Sequence, residues 1–309
     1  MQPNPYLNTL GFADQDRVVI IHADDIGMSQ ATLPAIAELF EFGLVSSAAL
    51  MVPCPWYRGA VAHALAHPEL DYGVHLTLNS EWTHLRWGPI STPEPQSGLL
   101  DEQGYFHSDT TPTAEGADLT ALRAELDAQL FRAGSAGLRI THADTHMFCL
   151  GHPRLIREYI GAALSAATLP VLMRPGSAGW QKFGFDDLPR EVLSNIAELE
   201  DRALPMVDDF YMMNLDNHQD RLEEAKLAFE RLQPGFTHFI LHPAIESPEL
   251  KAMAPDWRCR VADYNTFRSE DLRVHLHGLG IQVIGYESLR AFIPVMESSS
   301  LGVEERHRI

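Results

Sequence analysis

Cysteine is scarce in this sequence. Cys54, Cys149 and Cys259 are odd in number and widely spaced, so a disulfide framework is not expected and a reducing cytoplasm fits best. Basic residues are in deficit as well: 23 Lys and Arg stand against 42 Asp and Glu, a formal net charge of −19 with His neutral. Such acidity argues against nucleic acid or an anionic membrane as the main partner and favours small or neutral ligands. No apolar run approaches the ~20 residues needed to span a bilayer. The stretch MQPNPYLNTLGFADQDR lacks the basic and apolar regions of a secretory signal, so none is expected. Internal repeats and Gly/Ser linkers are also missing, and residues 1–309 are therefore expected to form one domain. Its core runs from about 16 to 293, and a tail at about 297–309 is expected to fray.

What remains is an ordinary globular balance, 45% apolar and 21% charged, enough to bury a sizeable core. Short apolar, often β-branched runs predict strands near 18–23, 44–52, 72–79, 138–146, 169–176, 236–244 and 281–287. Between them, apolar residues at helical spacing predict helices near 30–43, within 53–70 after a turn, and near 118–134, 153–167, 219–233 and 265–280. The first of these takes Ser29 as its N-cap and Gly43 as its stop. Roughly seven strands alternating with helices point to an α/β fold, a parallel sheet or barrel covered by outer helices. An irregular (β/α) barrel is favoured over a doubly wound sheet, because the first turn, HADDIGMSQ, has no G-x-G-x-x-G. Three stretches break the pattern. Residues 80–118 form a long irregular excursion, a loop length that is usually functional or disordered; 180–217 is mixed; and the segment following 244 is simply polar.

In such barrels the chemistry gathers where strands end. The first strand runs into Asp24 and Asp25. Adjacent carboxylates repel, and the mouth of a buried strand hydrates them poorly, so a cation or a proton to be taken is expected there. The third strand carries His75, ITHADTH carries His142, Asp144 and His146, VLMRPG carries Arg174, and FILHPA carries His242. Each has a plain explanation alone: a helix-capping carboxylate, a hydrogen-bonded strand histidine, a surface ion pair. Their joint placement at successive strand ends is the stronger observation. Two imidazoles and one carboxylate form a familiar divalent-metal set that leaves positions open for water and substrate. Asp144, between two histidines, is a natural acceptor to fix a ligand tautomer. The paired aspartates can divide the work, one on the metal and one as base.

The segments HADDIGMS, GVHLTLN, THADTH, MRPG, LHPA and GIQVIGYESL, in that order from about Val18 to Leu289, resemble the YdjC-like family of carbohydrate deacetylases. The resemblance implies an irregular (β/α) barrel that binds one divalent metal ion and removes acetyl groups from N-acetylated sugars or oligosaccharides; mixed N/O ligation suits Zn2+, Co, Ni or Mn, and an open hydrated site also admits Mg2+. Carried over by position, it implies Asp25, His75 and His146 as metal ligands and Asp24 as catalytic base. It further implies His242 as general acid and Arg174 as the arginine that orients the base. His22 departs from it, standing where members often have asparagine. Residues 80–118 have no clear counterpart, which leaves the choice of sugar open. Trp82, Trp87 and Tyr105 there either stack on sugar faces or pack the excursion onto the barrel. Two rivals are a metal-dependent hydrolase of another amide or of a phosphoester, and a sugar-binding protein without catalysis. Phosphoester chemistry would favour several Lys or Arg or a second metal at the site; a protein that has lost catalysis usually lacks the base or a ligand. No nucleic-acid or membrane partner is expected, and a homodimer is compatible with the sequence.

Overall fold

A computed structural model describes residues 2–92, 94–182 and 190–293; the tail expected to fray at 297–309 lies outside the described residues. Within it, β1 (Arg17–Ile26) occupies the centre of one parallel sheet. The others are β2 (Ser47–Leu50), β3 (Tyr72–Leu76), β4 (His142–Thr145), β5 (Leu169–Pro170), β6 (Asp209–Met212), β7 (Gly235–Leu241) and β8 (Gln282–Val283). Their order is β5-β4-β3-β2-β1-β7-β6, with β8 paired to β1 off this path. β1 is long enough to hold β8 beside Val18 and Val19 and β2 from His22 onward. The sheet curls into a half-barrel, and one isolated parallel bridge, Met173 to Val207, spans its two edges. Helices surround it, as a parallel sheet with both faces covered requires. Burial explains the apolar run in β1: Val18, Val19, Ile20 and Ile21 are fully inaccessible, each worth about 1.5–3 kcal/mol.

All seven expected strands occur, and an eighth, β6, lies inside the stretch read as mixed. Asp209-Phe-Tyr-Met gave too little alternation to read as a strand, since only Phe210 is buried. Two helix boundaries also differ. The first main helix starts at Thr32 with Ala31 in the cap position, so Ser29 does not cap it; the Ser29 carbonyl instead accepts from the Thr32 hydroxyl. Gly43 does end that helix, at φ 82° with its N–H on the Leu39 carbonyl, a left-handed stop that glycine adopts without steric cost. The helix expected near 265–280 is two, Trp257–Phe267 and Glu270–Gly278, and the former begins in the segment read as polar. The excursion 80–118 is well packed: Trp82, Trp87, Leu99 and Phe106 are buried, while Tyr105 is exposed under the Arg86 guanidinium. Its tryptophans therefore pack the excursion onto the barrel. The three cysteines are buried and unpaired. No helix among the described residues is long and apolar enough to cross a membrane.

Candidate active site

In a regular strand, neighbouring side chains point to opposite faces, which would separate Asp24 from Asp25. β1 breaks that rule at the point of need. Its register against β2 shifts between Ala23 and Ile26, and Asp25 takes φ 63°. Aspartate tolerates this left-handed conformation better than most residues, and both carboxylates come to lie beside His75. Asp25 Oδ1 lies 3.1 Å from His146 Nδ1 and 3.5 Å from His75 Nε2. Asp24 Oδ2 lies 3.9 Å from His75 Nε2 and 3.8 Å from His242 Nε2. The chain also turns sharply after His146, where Met147 and Phe148 both have positive φ, 52° and 54°; such strained positions collect at functional sites.

His75 and His146 are each fixed from behind by a carboxylate. His75 donates from Nδ1 to Asp144 Oδ1 at 2.8 Å, leaving Nε2 directed at Asp25. His146 donates from Nε2 to Glu81 Oε2 at 2.9 Å, leaving Nδ1 directed at Asp25. Asp25 Oδ2 accepts from Arg260 Nη1 at 2.7 Å, and Arg260 also holds Asp256 and lies 5.1 Å from the centre of the Trp82 ring. The His242 N–H donates to Asp263, which is itself paired with Arg221. Burial acts against charge on His146, but Glu81 and Asp25 override it and raise its pKa to about 10. Burial likewise disfavours a charged His75, and Asp144 and Asp24 outweigh it and raise its pKa. For Asp25, burial raises the pKa, and Arg260 followed by His146 more than reverses this, holding the carboxyl well below its ordinary range.

Three of these donors suit a metal ion. The ligating atoms of Asp25, His75 and His146 all lie within 4.8 Å of one another. Ligands about 2.1 Å from a common ion stand roughly 3.0–3.5 Å apart at neighbouring positions, and the 3.1 and 3.5 Å separations at Asp25 Oδ1 match that spacing. Asp25 Oδ1 is buried and lacks a hydrogen-bond partner of good geometry among the described residues, as an oxygen awaiting a cation would be.

Asp24, Asp25, His75, His146 and His242 thus meet at one end of the barrel. Arg174 does not join them. Its guanidinium is engaged by Glu200, Asp208 and the Gln2 carbonyl, beside the bridge between the sheet edges, and no described contact links it to Asp24. His142 faces a different layer, bonded to Thr141 and stacked on Tyr286 with centroids 4.2 Å apart, so that Asp144 alone of the pair supports His75. Gly73 makes room for the His142 ring: a Cβ there would come within 2.4 Å of Nε2. Sequence reasoning missed Glu81, Arg260 and Asp263. The spacing of Asp256, Arg260 and Asp263, four and three residues apart, was the available sign of a charged helix face.

The sequence profile of the YdjC-like protein family matches residues 18–277. A carbohydrate deacetylase of Thermoanaerobacter pseudethanolicus is 25% identical over 274 residues, covering 89% of this chain and all of that protein. One from Thermus thermophilus is 30% identical over 272 residues, 86% of this chain and 92% of the relative. One from Brevibacillus brevis is 31% identical over 225 residues, 68% and 84% respectively. A crystal structure from Enterococcus faecalis, described as that of a candidate cellobiose-phosphate cleavage protein, superposes with a TM-score of 0.70 at 22% identity, over 89% of this chain and 99% of the other. It shares the fold.

Proposed function

The chain belongs to the YdjC-like protein family, and we propose that it hydrolyses the acetamide of N-acetylated sugars or oligosaccharides, using one divalent metal ion held by Asp25, His75 and His146. The convergence of these three donors with Asp24 and His242 carries the proposal; the names of its relatives support the substrate class. With two imidazole nitrogens among three donors, a zinc-like ion suits the site better than magnesium. The three unpaired cysteines fit a reducing compartment, and we assign the reaction to the cytoplasm.

A bound ion would polarise the acetamide carbonyl and acidify a water. The protein's own groups do the rest. Asp24 presents Oδ2 between His75 and His242, where it can take the proton of the attacking water. His242 is placed to return a proton to the departing sugar amine, its backbone pinned by Asp263. Asp144 and Glu81 hold the two ligand histidines in one tautomer. Arg260 occupies the second oxygen of Asp25, leaving Oδ1 for the ion. A cavity of about 240 Å³ is lined by Thr111 and Glu115 of the excursion and by Met147, Phe148 and His152, which follow His146 in the chain; we assign part of the sugar to it. A phosphoester fits less well, because Arg260 is already neutralised by Asp25 and Asp256 and Arg174 is turned elsewhere.

The test is acetate release. Zinc-loaded protein incubated with N-acetylglucosamine oligomers should liberate acetate and a free sugar amine. An identically loaded Asp24→Asn variant should not. Equal release from both, or none from the parent across sugars of several lengths, would overturn the assignment.

A further inference from the structure

Below the ligand set the barrel holds a second polar layer that the proposed reaction leaves unused. His22 is fully buried, and its ring lies 4.7 Å from His238 and 4.9 Å from His142, centroid to centroid. Its Nε2 is 3.1 Å from Asp24 Oδ1 and 3.0 Å from Asp144 Oδ2. Neither contact is a well-aligned hydrogen bond, so the nitrogen is shared as an ion pair between two oxygens. On the other side, Nδ1 lies 3.0 Å from Ser47 Oγ, which donates to Asp71 Oδ1 at 3.4 Å.

Hydrogen-bond logic fixes the protons. A lone pair on Nε2 facing two carboxylates would be repelled by both, so Nε2 carries a proton. With its hydroxyl hydrogen turned to Asp71, Ser47 accepts from a protonated Nδ1, so both ring nitrogens of a charged His22 have partners. The setting of His22 thus accommodates an imidazolium. Resting on the assignment of Asp24 as base, we infer that His22 is a positioning residue. It ties Asp24 Oδ1 to Asp144 Oδ2, so that Asp24 must present Oδ2 to the space between His75 and His242 while Asp144 stays aligned on His75.

The surrounding groups agree. Burial disfavours charge on His22, but Asp144 and Asp24 override it and raise its pKa to about 9. Burial lowers the pKa of His142 and of His238, and the neighbouring His22 charge adds to both effects, leaving His22 as the cation among the three imidazoles. Tyr286, which bonds His238 and stacks on His142, closes the layer. One ring thus supports the base directly and one metal ligand through Asp144.

Two measurements decide this. Nitrogen-15 NMR of histidine-labelled protein, with and without zinc, should show both His22 nitrogens protonated near about pH 7, the signal being assigned by its loss in His22→Gln. In steady-state acetate release, His22→Met should lose about 10²-fold in kcat, the scale of a misplaced catalytic group. KM and bound metal should stay within about threefold. His22→Gln, which restores a neutral donor near the Nε2 position, should recover about tenfold of that loss. A neutral His22 ring, or kcat in His22→Met within about threefold of the parent, would overturn the inference. Should the parent release no acetate, the deacetylase assignment fails, and the protonation of His22 still stands or falls by the NMR.

Discussion

Replacing Asp25 by Asn removes a charge and little else. The backbone at 25 is left-handed, φ 63°, a conformation Asn accepts as readily as Asp, and the side chains are nearly isosteric. The loss falls on Arg260, whose Nη1 is 2.7 Å from Asp25 Oδ2 in a buried setting. Arginine cannot shed its proton to escape, because its pKa lies far too high. Breaking a buried ion pair from one side costs about 3–5 kcal/mol. Arg260 keeps Asp256 at 3.0 Å, which places the expected loss near the lower end, about 3 kcal/mol. For a chain of 309 residues that corresponds to a fall of about 5 °C in melting temperature. Asp24→Asn makes the contrast. Its partner is His22, which retains Asp144 at 3.0 Å and can deprotonate, so its melting temperature should fall by about 2 °C or less. Calorimetry on both variants in chelator, where metal plays no part, makes the comparison. A metal-free Asp25→Asn protein melting within about 1 °C of the parent, or an Asp24→Asn protein melting below the Asp25→Asn one, would refute the ion-pair account.

Other expectations concern metal, turnover and pH. Asp24→Asn should retain its metal yet lose about 10²–10⁴-fold in kcat, and recovery of activity at high metal concentration would show that Asp24 is a ligand instead. Glu81→Gln should weaken metal binding by about 10–100-fold, because His146 loses the carboxylate on its Nε2; competition against a chelating dye measures it, and unchanged affinity would detach Glu81 from the site. In metal-free protein the pH dependence of stability has a defined sign. His22 is raised to about 9 from an unfolded value of about 6.5, so between those limits the folded state holds more protons. Its contribution is complete below about pH 6.5 and lost as pH climbs through about 9, with His146, raised to about 10, acting in the same direction. Urea midpoints should therefore fall across that range and fall less in His22→Gln; midpoints that rise would contradict it.

How much of this was legible beforehand differs by element. The strands of a parallel sheet are buried on both faces, so they appear as apolar runs, and Val18–Ile21 could be found without any tertiary knowledge. The candidate ligands could be grouped because strand ends in a curled parallel sheet converge, so Asp25, His75 and His146 meet although they are far apart in sequence. The same logic failed for Arg174. It also ends a strand region, but that region borders the sheet edge, where Glu200 and Asp208 lie across the gap and take its charge. Nothing in the local spacing distinguishes an arginine facing the barrel mouth from one facing an acidic neighbour brought in by a distant segment.

Arg260 shows the complementary blindness. The helix Trp257–Phe267 buries Arg260 and Asp263 beside Cys259 and Tyr264, because the surface it covers is a cluster of carboxylates and imidazoles. A helix packed on an apolar core shows Leu and Val at helical spacing and is found by its period. A helix packed on a polar site shows charges at that spacing, and its segment passes for a solvated loop. Hydrophobic periodicity therefore finds the scaffold and overlooks the elements that complete the site. Glu81 was hidden for a related reason: it opens an aperiodic excursion whose buried residues, Trp82 and Trp87, pack against the site itself, Trp82 over Arg260 and Trp87 with its ring 6.2 Å from His146. Alternating charge at four- and three-residue spacing, as in Asp256, Arg260 and Asp263, within a chain whose strand ends already predict a metal site, is the pattern by which such a helix can be sought.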